Sequence, residues 1–223
     1  MNKQILKYNY IKMSLHLIIG PMYAGKTSTL IKTYLDGPIE TSIIIDYDIT
    51  VNQKVRESKM INHNFEEIDA IKSTKLYDLN NIYKISGNFY NSRDMLPYDL
   101  TSFNHNEFNE KEHRELFVIP MKLRNATHIY INEGQFFPDL YDFVIEYLKK
   151  DVNIYIYGLD GDYKQEKIGT LLELIPFCDS VRKLNGKCEY CDNNSIYTKR
   201  VSDSKEQYDP HGKYVPVCRK CIS

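Results

Sequence analysis

The chain has no tryptophan and no surplus of either charge: 29 Lys and Arg stand against 30 Asp and Glu over 223 residues, for a net charge of -1. That balance argues against a duplex nucleic-acid binder, which needs a basic face for the phosphates. Basic clusters such as MKLR and TKR are short and read as solvated surface. No apolar run reaches the length of a membrane span. Residues 1–13 lack an apolar secretory core and a small-residue cleavage site, so they read as an N-terminal arm and the expected location is cytoplasmic. Five cysteines in a reducing compartment are poor material for a disulfide framework. The 19 tyrosines fit an AT-rich coding bias and imply no function.

The remaining pattern alternates. Apolar runs at 14–20, 41–47, 127–137 and 152–163 read as strands. Helical spacing follows at 27–37, 65–79, 138–150 and from 168 toward 181. Strands alternating with helices predict an α/β domain over 14–184, with a mostly parallel sheet flanked by helices, as in P-loop NTPases. Residues 80–126 break the rhythm and read as an insertion, with LFVIP (116–120) as a candidate strand inside it. Residues 185–223 lose the α/β pattern altogether.

Gly20-Pro21-Met22-Tyr23-Ala24-Gly25-Lys26-Thr27 fits G-x-x-x-x-G-K-[ST] between a strand and a helix. Glycines let backbone N–H groups turn toward phosphate oxygens, and the helix N-terminus adds its dipole. Lys26 is expected at the β- and γ-phosphates of ATP, and the Thr27 hydroxyl on Mg²⁺. Glu133 follows the strand HIYI, where the open edge of a parallel sheet faces the phosphates. A carboxylate there can take a proton from an attacking hydroxyl; the alternative is an exposed loop glutamate. Cys188-x-x-Cys191 and Cys218-x-x-Cys221 form two matching knuckles. Four thiolates from such turns make a closed, structural zinc site and predict a small zinc-ribbon-like unit; disulfides or free thiols are the alternative. Cys178 reads as a packed thiol, and the six histidines show no ligand spacing.

The ordered set of P-loop, NEGQFFPD, GLDGDY, LLELIPFCDSVRKLNGKCEYC, YTKR and YVPVCRKC resembles the thymidine kinases of the cellular and poxvirus class. The likeness is close over 127–223, loose over 14–79 and absent over 80–126. It implies transfer of the ATP γ-phosphate to the 5′-hydroxyl of thymidine, with deoxyuridine as a second acceptor and Glu133 as the base. It places Phe136 in the base pocket, Leu159 and Tyr163 beside the base, and Met22 near the thymine methyl. A lasso loop over 198–214 would close on the nucleoside, with contacts from Thr198 and Tyr214 and from the backbone of Lys205, Glu206, Gln207, Tyr208 and Asp209. The resemblance also implies a homotetramer or homodimer, and inhibition by dTTP.

Three departures accompany it. Asn132 stands where the family has an aspartate of the Mg²⁺ shell. No Asp-x-Arg follows the second strand; Asp48 and Arg56 could replace it only by rearrangement. Lys167-Ile168 replaces an aromatic wall. These departures motivate a second reading, a catalytically weakened nucleotide-binding protein of the same fold. A nucleic-acid role for the cysteine tail is weaker still, because few aromatic–basic pairs accompany it.

Overall fold

The computed structural model describes residues 13–50, 55–85, 88–91 and 119–222. Four strands expected from the sequence are present: β1 (Ser14–Ile19), β2 (Ser42–Tyr47), β7 (His128–Asn132) and β8 (Asn153–Gly158). Three more complete the sheet: β3 (Arg56–Ile61), β4 (Glu67–Ser73) and β9 (Ser180–Lys183). The order is β3-β4-β2-β7-β8-β1-β9, with every pairing parallel except the β3–β4 edge. A separate two-stranded pairing joins β5 (Asn81–Ile85) to β6 (Asn88–Asn91).

Both faces of the sheet are buried, as a parallel sheet requires. Alternate residues of each strand serve opposite faces. Leu15, Leu17, Ile43, Ile45, Ile129, Ile131, Ile154 and Ile156 pack in one cluster with α3 (Leu140–Tyr147), the 3₁₀ turn Leu171–Phe177, and Ile119 and Leu123 of helix α2 (119–125). Ile18, Ile44, Tyr130 and Tyr157 pack on the other face against Leu30 and Ile31 of α1 (Lys26–Leu35). No helix among the described residues is long and apolar enough to cross a membrane.

Two expected helices are corrected. Residues 65–79 form β4 and a 3₁₀ turn at Tyr77–Leu79. Ile68 and Ile71 fit helical spacing, but β4 finds backbone partners on both sides, β2 and β3, which a helix cannot match. The segment from 168 becomes a 3₁₀ turn ending just past Pro176, and Ser180–Lys183 then joins β1 as an outer strand. Proline removes a helical donor and clashes with the preceding turn. Residues 1–12 of the expected arm lie outside the described residues, as do 86–87 and 92–118 of the expected insertion. Within the candidate strand 116–120, the first three residues lie outside them too, while Ile119 and Pro120 open α2.

The cysteine-rich tail forms two small antiparallel pairs. β10 (Gly186–Lys187) pairs with β11 (Asn194–Ser195), and β12 (Tyr197–Arg200) with β13 (Tyr214–Val217). Its core consists of Cys188, Val217 and Cys218, with Tyr197 and Val215 against them. That is little apolar burial for a folded unit, so a cross-link or metal has work to do there.

Candidate active site and metal-binding cluster

The carboxyl ends of parallel strands are where α/β sheets bind ligands. Here they open into a cleft of about 330 Å³. Its wall includes Met22, Lys26, Thr27, Asp46, Lys72 and Glu133, and its aromatic side includes Tyr47, Phe136 and Tyr208.

The loop from β1 to α1 turns on two glycines. Gly25 caps α1 at φ 80, in the left-handed region that glycine enters without strain. Gly20 passes so close to the chain that a Cβ would lie 2.4 Å from the Leu184 carbonyl oxygen. Lys26 is buried and curls back, donating to the carbonyls of Pro21 at 2.8 Å and Gly20 at 3.2 Å. Burial pulls its pKa down, while Glu133 and Asp160 pull it back up. Two neutral acceptors and two nearby carboxylates are what a cation needs when it waits in a dry site for a stronger anion.

Glu133 follows β7 in a left-handed conformation, φ 53, unusual for a residue with a side chain. Gln135 fixes its carboxylate. The Gln135 amide donates to Glu133 Oε2 at 2.7 Å, and its own oxygen accepts the Leu159 N–H at 2.9 Å. Gln135 is 2% exposed, so it joins Glu133 to the GLDGDY loop with no solvent competition. It was legible only as part of the NEGQFFPD motif, because its role depends on a contact 24 residues away.

Phe136, Leu159 and Met22 line the cleft. The Phe136 and Tyr208 rings stand 4.3 Å apart and Tyr47 packs on Phe136 at 5.4 Å, so the rings form one continuous wall. Tyr208 brings its side chain into the cleft, where the sequence pointed to its backbone. Its hydroxyl is pushed up to about 12 by burial and by the field of Glu133, which keeps it a neutral donor. An aromatic ring thus enters from Tyr208, although Lys167 and Ile168 supply none. Thr198 is buried, and its hydroxyl accepts the Met22 N–H at 3.0 Å, tying β12 to the phosphate loop.

Tyr163 and Tyr214 face Arg200 rather than the cleft, with the guanidinium 3.9 Å and 5.0 Å from their ring centres. Lys205, Glu206 and Gln207 are exposed, and Asp209 is half-buried. Gln207 reaches across to donate to Asp162 Oδ2 and the Lys167 carbonyl, each at 3.1 Å. These bonds rest the 198–214 segment on the α/β body.

Two departures from the expected pattern find partners in space. Asp48 and Arg56 form an ion pair across residues 51–54. Asn132, 5% exposed, donates its amide to Asp46 Oδ1 at 2.9 Å, and Asp46 forms an ion pair with Lys72. Sequence reading passed over Asp46 and Lys72, since nothing local marks them.

The four cysteine sulfurs lie within 4.8 Å of one another. Cys191 Sγ is 3.6 Å from Cys218 Sγ and 3.7 Å from Cys221 Sγ. Tetrahedral Zn–S bonds of ~2.3 Å put sulfurs ~3.8 Å apart, so the cluster can hold a metal ion of that kind.

The parallel order, the glycine loop opening α1, the acid just after β7 and the four-thiol tail define a P-loop α/β protein with a C-terminal four-cysteine cluster that could hold a metal ion. The thymidine kinase family model matches residues 13–89 and 87–222, its two pieces meeting inside the expected insertion. A thymidine kinase of sheeppox virus is 28% identical over 222 residues, covering 97% of this chain and 98% of its own. A thymidine kinase of rice is 29% identical over 213 residues, 92% of this chain; the match spans 65% of the rice protein's length. Thymidine kinase a of Arabidopsis thaliana is 29% identical over 210 residues, 93% of this chain and 74% of its own. The chain belongs to the thymidine kinase family.

Proposed function

We propose that this protein transfers the γ-phosphoryl group of ATP to the 5′-hydroxyl of thymidine. The observation that carries the reading is the shared cleft: Lys26 and Thr27 of the phosphate loop and Glu133, just after β7, line one space with an aromatic wall. Glu133, held by Gln135, accepts the proton of the 5′-hydroxyl as its oxygen bonds to phosphorus and the bond to the ADP oxygen breaks. Lys26 leaves the Pro21 and Gly20 carbonyls for the phosphates. Thr27 and Glu133 offer hard oxygen donors in the same cleft, which suits Mg²⁺, and Asn132, whose amide N–H is given to Asp46, would orient a metal-bound water through its side-chain oxygen. Bound there with ATP, Mg²⁺ would neutralise phosphate charge. Phe136, Leu159, Tyr208 and Met22 would exclude water from the nucleoside, and the lid over 198–214 would close on it.

The same reading takes 14–184 as the kinase domain, 80–126 as an insertion and 185–223 as a lid unit with structural zinc. Homo-oligomerisation and dTTP inhibition follow from the family likeness. The neutral amide of Asn132, already engaged with Asp46, favours the competing reading of a weakened nucleotide binder.

One assay separates them. Protein, Mg²⁺, ATP and thymidine should give thymidine monophosphate and ADP in equal amounts, with deoxyuridine also phosphorylated. Glu133→Gln should lower kcat by about 10²–10⁴-fold while thymidine still binds by calorimetry. Tight thymidine and ATP binding with no monophosphate formed at saturating Mg²⁺ would leave the binder as the answer.

A further inference from the structure

We infer that Lys72 is a second phosphate-binding cation of this cleft, positioned by Asp46, and that it takes charge from the phosphoryl group in transfer. The inference rests on the kinase reading and deepens it by adding a catalytic residue.

The starting point is register. Lys72 of β4 pairs with Asp46 of β2, and Asp46 pairs with Asn132 of β7, in two parallel ladders. Directly opposed residues of parallel strands share a face. A cation, a carboxylate and an amide therefore run side by side across three strands at their carboxyl ends, and Glu133 follows at once. Both oxygens of Asp46 are engaged, one by the Asn132 amide and one by the Lys72 ammonium. Among the described residues Asp46 is the one partner of Lys72, so one of three N–H donors is used. The Lys72 side chain is 20% exposed and opens on the cleft.

Charge decides what the row is for. The described lysines and arginines lining the cleft are Lys26 and Lys72, and the carboxylates are Asp46 and Glu133. Without Lys72 the wall would carry a net negative charge and a buried, uncompensated Asp46, and would repel a polyphosphate. A buried ion pair adds little stability over an apolar pair of the same size, so strand pairing alone gives no reason to place one here. A lysine with two spare donors lining the same cleft as Glu133 does have one: it can follow the negative charge as it spreads over the equatorial oxygens. Arg56, the other cation from this side of the sheet, is committed to Asp48.

The test compares wild type, Lys72→Met, Lys72→Arg and the double variant Lys72→Met/Asp46→Asn, which leaves no lone buried charge. Calorimetry with Mg²⁺ measures affinity for ADP and for the non-hydrolysable ATP analogue AMP-PNP; steady-state assays give kcat. Removing the cation should lower kcat by about 10²–10³-fold and cut the preference for AMP-PNP over ADP, with ADP affinity unchanged. Lys72→Arg should recover most of both. A double variant that melts like wild type and keeps both its kcat and its AMP-PNP preference would overturn the inference. A wild type that makes no thymidine monophosphate would overturn the kinase reading instead; the AMP-PNP preference would still report on Lys72.

Discussion

At the scale of single residues, the site is held by pairs that the chain brings together from different strands. Asp48 is the sharpest case. Its carboxyl is pulled down to about 2, first by the hydrogen bond from Arg56 and then by Thr50, against the upward push of burial. A depressed carboxylate pKa stabilises the fold above the unfolded value of 3.8 and loses that contribution as pH falls through about 2. Acid unfolding followed by circular dichroism should therefore show a stability loss between about pH 4 and 2. Asp48→Asn should flatten that limb while lowering stability at neutral pH, because the Asp48–Arg56 ion pair is lost. An unchanged acid limb in the variant would mean the pair carries no weight.

At the scale of the element, the loop between β12 and β13 is organised from one side chain. Arg200, at the end of β12, donates to the carbonyls of Ser204 at 2.8 Å, Glu206 at 2.6 Å and Gln207 at 3.3 Å, and to the Tyr214 hydroxyl at 2.6 Å. It also stacks on Tyr163 of the body. A planar fork with five donors can serve that many acceptors; an ammonium cannot. Arg200→Lys should release residues 204–209, seen as faster amide exchange there. It should raise KM for thymidine by about tenfold or more, since charge-assisted bonds are worth ~1.5–3 kcal/mol each. Metal content should stay constant, because the thiols cluster at the opposite end of the β12–β13 pair, around Val217. Exchange rates equal to wild type would show the loop holds its shape by other means.

At the scale of the whole molecule, the four-cysteine unit and the phosphate loop are mechanically joined. Thr198 of β12 accepts the Met22 N–H, and Val217, paired with Tyr197, packs among the thiols. Removing zinc with a chelator under reducing conditions should loosen more than the tail. Proteolytic cleavage should rise between 201 and 213, and ATP affinity should fall modestly through Met22, while far-ultraviolet dichroism of the sheet persists. A protein that yields no metal, or that loses it without gaining protease sensitivity, would contradict a structural zinc site.

The amino-acid sequence by itself determined the local items: the glycine loop, four of the seven main strands, the acid after HIYI and the four-cysteine spacing. Each depends on neighbours in the chain, through period-2 burial, left-handed glycine or two-residue knuckles. Tertiary structure alone decided the rest. The segment 65–79 became a strand because β2 and β3 flank it, not because of its own apolar spacing. Lys72, Asp46 and Asn132 became one row because parallel register aligns residues 26 to 86 positions apart, and Arg56 pairs with Asp48 eight positions before it. Tyr208 reached the aromatic wall because the 198–214 segment lies on the body. Spatial pairing across strands leaves no periodic trace along a chain, so those residues could be recognised only once the sheet had put them side by side.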